Sequence, residues 1–453
     1  MSSYTVNPDK VFYNYQGMLP PAPLESTAAV LPQESAKTDP KKITDTTLRD
    51  GAQDSRIALF SVDARVAYFD LLHELDNGTG TIEQIEIFIY QKRDEWALEQ
   101  LLDRGYEYPQ ITTWTRATPK DIRLMVDVTQ GRVTETGLLA SSSDHHIFDK
   151  LRFRSKAQAI EAYLEPVMTA CEHNITPRVH LEDTTKADIY GWVIPFMQRV
   201  LKETEGKAKF RICDTIGWGT PDPYVSLPFG IPRLIATLHQ ETGAELEFHG
   251  HNDFGLATAN SLAAWRFGCK RVNTAFAGLG ERTGNTSLEQ MLVNYIRLYG
   301  DPGFKLEKLT AMANLINGKV VELSTKSPVI GDVFTTQAGI HQTGIARQED
   351  AEGGLIYLAF DPGLVGKEGV ETSRLGSLSG MDGIVAILNA HSKNGQYTLT
   401  SRAVKHIYDA LHEAYDGDLD AKTGKPSGFR KDFFTAEEVV RIAEEYQKSR
   451  SRE

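Results

Sequence analysis

The sequence predicts an α/β chain built on a (β/α)8 TIM barrel with a mostly helical C-terminal region. Three observations carry that prediction. Eight short apolar segments alternate with eight helix-length ones between residues 43 and 305, matching such a barrel in length and count. Each helical stretch opens on a capping or charged residue. No GxGxxG follows the first strand, which leaves the competing doubly wound sheet without its phosphate-binding signature.

In order, strands are expected near 43–47, 83–89, 110–115, 135–140, 177–182, 209–213, 245–249 and 271–275. The helices between them are expected at Asp63–Leu75, Asp94–Asp103, Pro119–Val128, Ser155–Cys171, Ala187–Lys202, Pro232–Thr242, Leu256–Phe267 and Thr286–Leu298. Residues 1–42 precede the barrel and carry six prolines among aromatic islands at Phe12, Tyr13 and Tyr15, a composition that suits an irregular arm. Beyond residue 305 the strand signal fades into a linker subdomain, 306–360, and a helical subdomain, 361–453. There Leu306–Ser324, Met381–His391, Ser401–Tyr415 and Ala436–Ser449 read as helices, and Gly331–Ile345 as a loop.

Composition narrows the function. The 453 residues hold 49 Lys and Arg against 61 Asp and Glu, a net charge of -12 that repels polyanions and argues against nucleic-acid binding. Cys171, Cys213 and Cys269 are too few and too scattered for a disulfide framework, which fits a reducing cytoplasm. No signal pattern opens the chain, and no apolar run approaches the roughly 18 residues of a membrane span.

In such barrels chemistry sits at the C-terminal ends of the strands. The seventh strand runs into HGHNDFG, His249 to Gly255, and residues i and i+2 of a strand share a face, so His249 and His251 can reach one ion. Other strand ends offer Arg49 and Asp50, Glu182 and Asp183, Asp214 and Thr215, and Asn285. One carboxylate, two imidazoles and an amide oxygen make a mixed O/N set suited to Mn²⁺, Mg²⁺, Co²⁺ or Zn²⁺. The structural alternatives are helix caps for Asp50 and Asp214, a turn for Asn285 and a buried salt bridge for Arg49.

Together the stretches TLRDGAQ, LEDTTKAD, CDTIG, HGHNDFGLATAN and GLGERTGN resemble the DRE-TIM metallolyase superfamily. The likeness is to its Claisen-condensing branch of isopropylmalate, homocitrate and citramalate synthases. Within that branch, the Ala52-Gln53 variant of the first motif, the long N-terminal arm and the overall length are similar to the Re-type citrate synthases.

The resemblance implies a divalent cation, Mn²⁺ first, on Asp50, His249, His251 and Asn285. Arg49 then stands beside the reacting carbonyl, Glu182 takes part in acid/base steps, and Thr215 helps hold the carboxylate of a 2-oxo acid. The QAGIHQTG stretch is similar to a family segment whose histidine comes from the partner subunit, making His341 the expected proton acceptor and the protein a homodimer or larger. A loop histidine that merely packs is the alternative. The implied reaction condenses acetyl-CoA with oxaloacetate, and thioester hydrolysis then yields citrate and CoA.

The motifs also depart from the family pattern. Ala52 replaces a Glu found in many relatives, and Lys367-Glu368-Gly369 follow Gly366 where some isopropylmalate synthases carry a tyrosine. Too little chain remains for a leucine-feedback domain.

Oxaloacetate carries a second carboxylate that must meet a cation or several donors. Lys92 and Arg93 after the second strand, Arg116 ending the third, and Ser141 to Ser143 with His145 and His146 after the fourth give a polar, basic mouth; Gln53, Arg116 and His146 join Thr215 as expected substrate-binding residues. The alternative is that Lys92 and Arg93 simply begin a solvated helix. Homocitrate, citramalate or isopropylmalate synthesis competes within the class. A lyase like hydroxymethylglutaryl-CoA lyase is disfavoured because Gly278 to Asn285 contains no cysteine. A non-catalytic metal-binding regulatory barrel is the remaining possibility, and the intact Arg49, Glu182 and His341 speak against it.

Overall fold

The structure, a computed structural model, describes residues 40–346, 355–391 and 397–450, apart from 58, 371, 373, 377–378, 417, 420–425 and 428–432. The expected arm lies outside the described residues except for its last three. The described chain divides into two compact units, one ending at Ile330 and the other starting at Gly331.

In the first unit eight parallel strands close into a ring in chain order. They are β1 (Lys42–Asp45), β2 (Ile82–Ile87), β3 (Gln110–Arg116), β4 (Glu135–Ser141), β5 (Thr176–Glu182), β6 (Lys209–Asp214), β7 (Leu246–Gly250) and β8 (Arg271–Thr274). Pairing of Lys42 with Arg271 and of Asp45 with Thr274 makes the seam. A closed ring excludes the doubly wound sheet.

The surrounding helices are α1 (Val62–Asp76), α2 (Lys92–Asp103), α3 (Pro119–Thr129), α4 (Lys156–Glu172), α5 (Ile194–Glu203), α6 (Ile231–Thr242), α7 (Ala257–Arg266) and α8 (Leu288–Tyr299). Ser61, Thr118 and Ser155 each accept a backbone N–H three residues on, satisfying a donor that the first helical turn leaves open. One long helix was expected over Ala187–Lys202, but a π-helical turn, Ile189–Val193, precedes α5. Pro195 sits at that junction and has no N–H to give Gly191, so regular α-bonding cannot run through it.

Between strands and helices the core is apolar, with Trp192, Phe196, Phe210, Phe248 and Trp265 buried. Inside the ring it is not. Gln84 and Glu86 of β2, Arg178 and His180 of β5, Arg211 of β6 and Glu247 of β7 are all buried. Arg211 reaches Glu86 at 3.1 Å and Glu247 at 2.9 Å, and Arg178 reaches Glu86 at 3.1 Å. Side chains from strands on opposite arcs of the ring meet only in its interior, where branched apolar residues are the usual filling.

One helix was expected over Leu306–Ser324, but the structure breaks it. The helix α9 (Lys308–Ile316) stops where Asn317 turns extended, with its side chain accepting from Leu323 N and Gly318 following at φ +71°. The second unit holds α10 (Gly339–Ala346), where a loop was expected, together with α11 (Met381–His391), α12 (Arg402–Asp416) and α13 (Ala436–Arg450). Ile384, Leu388, Val404, Ile407, Leu411 and Val439 form its core.

Asp45 and Glu289 are among the buried carboxyls of the first unit that have no salt-bridge partner among the described residues. Asp45 accepts from Thr47 N, Thr47 Oγ1 and Tyr68 OH at 2.9–3.0 Å, and Glu289 from Ala277 N at 2.9 Å and from the Ser287 hydroxyl. Burial raises both from ordinary values of 3.8 and 4.5 to about 7. Each group keeps its proton in the folded state where the unfolded chain has lost it, so its contribution is full below pH 4 or so and falls as pH rises through about 7. Glu289→Gln should therefore gain on the parent by on the order of 2 kcal/mol between pH 5 and pH 8, read from urea unfolding. Parallel curves for the two proteins would show that Glu289 carries no such linkage.

Candidate active site

The C-terminal ends of β7, β1 and β8 converge. His249 Nε2 lies 3.2 Å from His251 Nε2 and 3.8 Å from Asp50 Oδ2, all buried. Asn285, in the loop after β8, donates Nδ2 to Asp50 Oδ1 at 3.0 Å and to Leu279 O at 2.7 Å. Its Oδ1 is buried without a donor among the described residues. Gly280 is required beside it, since a Cβ there would strike Asn285 Nδ2 and crowd Asp50.

The tautomer of His249 follows from the interior of the ring. Thr44 Oγ1 donates to Glu247 and accepts from Asn273 Nδ2 at 2.9 Å, so Asn273 Oδ1, 2.7 Å from His249 Nδ1, is the acceptor there. Nδ1 thus carries the hydrogen and Nε2 presents its lone pair. A lone pair facing a second imidazole nitrogen at 3.2 Å calls for a proton or a cation between them. His251 Nδ1 has no such guide, being unpartnered among the described residues.

Electrostatics fit a cation. Burial, with the neighbouring His251, lowers His249 to about 3 and keeps it neutral. Burial alone would raise Asp50, but Arg49, His249, His251 and the Asn285 amide together hold it well below the usual carboxylate range. Two neutral imidazoles, one firm carboxylate and an unclaimed amide oxygen are donors that a divalent ion accepts. Arg49 lies alongside, its Nη1 2.6 Å from Asp50 and its Nε 2.7 Å from Glu86.

The other predicted residues divide. Glu182 is held by His146 Nδ1 at 3.1 Å, by the Ser141 hydroxyl and by Lys150 Nζ at 2.9 Å, and despite burial these donors lower it to about 2. It is an ionised acceptor at neutral pH. His146 Nε2 faces Asp183 at 3.7 Å, and Thr215 Oγ1 accepts from Asp183 N at 2.8 Å, which leaves the hydroxyl proton free to donate. Gln53 and Arg116 line a separate cleft over β2 and β3. Arg116 is bound through two nitrogens to Asp121 at 2.7 and 3.1 Å. Lys92, exposed at the start of α2, pairs with Glu95, and Ser142 and Ser143 bind Glu182 O and Asp183. The polar, basic mouth expected from these residues is thus largely self-satisfied. His341, the expected proton acceptor, lies in the second unit, on α10, and stacks on Tyr357 at 4.1 Å.

Sequence reading missed Lys150, Asn273, Glu86 and Trp114. For Glu86 the charge in the IEQIEI strand was the available signal; Asn273 sits in RVNT with none.

A closed barrel with a carboxylate and two imidazoles at its C-terminal mouth, close enough to hold one metal ion, is the frame of a TIM-barrel enzyme. Residues 41–316 match the HMGL-like family model. The chain belongs to that family, part of the DRE-TIM superfamily. It is 39% identical over 358 residues to a Citrate (Re)-synthase of Clostridium kluyveri, covering 77% of this chain and 76% of that one. It is also 37% identical to a Citrate (Re)-synthase of Syntrophus aciditrophicus, covering 80% of this chain and 57% of that one. A 2-phosphinomethylmalate synthase of Streptomyces hygroscopicus is 36% identical, with coverage of 77% and 79%.

Removing the acceptor behind His249 tests the centre. Asn273→Ala should weaken Mn²⁺ binding by about 10–100-fold in calorimetric titration, as is usual when a ligand's supporting hydrogen bond is lost. Unchanged affinity would mean that His249 is not a ligand.

Proposed function

We propose that this chain condenses acetyl-CoA with oxaloacetate and hydrolyses the resulting thioester, giving citrate and CoA. The observation that carries the reading is the buried Asp50–His249–His251 cluster with Arg49 beside it, in a chain 39% identical to a Citrate (Re)-synthase. Asp50, His249, His251 and Asn285 would hold the cation, Mn²⁺ ahead of Mg²⁺, Co²⁺ or Zn²⁺. When bound, that ion polarises the oxo carbonyl and fixes the face it presents.

This chain's own groups do the rest. Arg49, kept in place by Glu86, stabilises the negative charge that develops on the carbonyl oxygen. His341 of a partner subunit takes the methyl proton of acetyl-CoA, and the carbanion attacks the ketone carbon. Thr215 donates to the carboxylate of the oxo acid. Lys150, with His146 beside it on Glu182, supplies donors for the distal carboxylate. Water then cleaves the thioester and CoA leaves as the thiol, making the sequence irreversible.

A homodimer or larger assembly follows from the role given to His341. Three free cysteines support a reducing, cytoplasmic setting, and no helix among the described residues is long and apolar enough to cross a membrane. A different 2-oxo acid, as in homocitrate, citramalate or isopropylmalate synthesis, is the second reading; the 2-phosphinomethylmalate synthase of nearly equal identity favours keeping it.

Thiol release from acetyl-CoA against a panel of 2-oxo acids separates these readings. Oxaloacetate should give the highest kcat/KM, and EDTA should abolish turnover. Preference for 2-oxoisovalerate or 2-oxoglutarate would move the substrate assignment, and the absence of thiol release with every acid would leave a non-catalytic barrel. For the shared site, mixing inactive His341→Ala with inactive His249→Ala under conditions of subunit exchange should restore up to about a quarter of parental activity, the fraction expected of randomly paired intact sites. No recovery in mixed dimers that sedimentation confirms would place His341 outside the reaction.

A further inference from the structure

A cleft of about 440 Å³ opens beside the metal centre, lined by Gln53, Phe88, Tyr90, Trp114 and Arg116. Three aromatic side chains, all half-buried, dominate it. Trp114 meets Phe88 edge-on at 5.6 Å and Tyr90 at 6.4 Å, so the rings hold one another in place. Arg49 lies over Trp114 at 5.8 Å, which ties this cleft to the group beside the reacting carbonyl.

An oxo diacid does not suit it. The cleft falls in the size range of pockets that enclose ligands far larger than a four-carbon acid. Aromatic faces carry negative electrostatic potential and offer a carboxylate no donor. The one cation present, Arg116, already gives Nε and Nη2 to Asp121 and lies over Tyr90 at 5.1 Å. Donors suited to carboxylates stand instead on the β4–β6 side, where Lys150, with His146 beside it, and Thr215 gather around Glu182 and Asp183.

We infer that the mouth is divided: the aromatic cleft over β2 and β3 receives the acyl-pantetheine arm of acetyl-CoA, and the oxo acid occupies the β4–β6 side. This rests on the proposed condensation. The arm's alkyl and thioester segments pack on Trp114, Phe88 and Tyr90, and the exposed Gln53 amide pairs with an amide of the arm. The thioester end then lies toward Arg49, where the carbanion and the ketone must meet.

Steady-state kinetics and calorimetry on the full-length, Mn²⁺-loaded protein test the division. Trp114→Ala and Phe88→Leu should raise the KM for acetyl-CoA about tenfold and leave that for oxaloacetate within about twofold, while His146→Ala should do the reverse. Trp114→Phe, which keeps an aromatic ring, should recover most of the loss. A rise in the oxaloacetate KM alone on changing Trp114 or Phe88 would overturn the inference and make the cleft the oxo-acid pocket. CoASH titrated by calorimetry reads the cleft independently of turnover. If the parent releases no thiol with any oxo acid, the condensation reading fails, and a tenfold weaker CoASH Kd in Phe88→Leu still supports the cleft. Equal CoASH affinity in the parent and in a folded Phe88→Leu protein refutes it.

Discussion

One guanidinium in the interior of the ring supports both halves of the candidate metal site. Arg211 is wholly buried and spans two carboxylates, Glu86 and Glu247. Glu86 in turn holds Arg49 at 2.7 Å, and Arg49 holds Asp50 at 2.6 Å. On the other side Glu247 accepts from Thr44, Thr44 from Asn273, and Asn273 from His249. Two of the expected ligands are therefore oriented by hydrogen bonds that begin at the same side chain. Replacing one partner of a buried charge network leaves another charge unpaired, so the network is strongly constrained even where its net stabilisation is small.

This explains why the ring is filled with charge. A branched apolar interior would pack as well, but it would leave the His249 tautomer and the Arg49 side chain without fixed partners. The interior gives up ordinary packing for orientation. Around it the outer layer remains conventional, with Trp192, Phe196 and Trp265 sealed between strands and helices. Stability and orientation are thus assigned to opposite faces of the same strands, as alternation of side chains permits.

Much of this was legible before the structure. Period-two apolar runs and cap residues located the eight strands and their helices, because those signals are local. Spacing put His249 and His251 on one face for the same reason. What escaped depends on contacts across the ring: Glu86, Arg211 and Asn273 have meaning only once β2, β6 and β8 enclose a common interior. The cations near the mouth were legible as residues but not as partners. Asp121 takes up two nitrogens of Arg116, and Glu95 pairs with Lys92, each just far enough along the chain to be read as an independent helix charge. The overlong helix after residue 305 failed on one residue, because Asn317 bonds back to Leu323 instead of continuing the turn.

Charge balance bears on the substrate. Around the centre, Asp50, Glu86 and Glu247 are countered by Arg49, Arg178 and Arg211, and both imidazoles are neutral. On the far side Glu182 is matched by Lys150 and Asp183 by Lys186. These pairs cancel, and Asp214 at the end of β6, buried without a salt-bridge partner among the described residues and raised by burial to about 6, adds one negative charge at neutral pH. A divalent cation adds two positive charges to that balance. Asp214 offsets one of them and the carboxylate common to every 2-oxo acid offsets the other, so oxaloacetate brings one negative charge beyond the balance. A second carboxylate therefore needs a donor of its own away from the cation, as Lys150 offers beside Glu182.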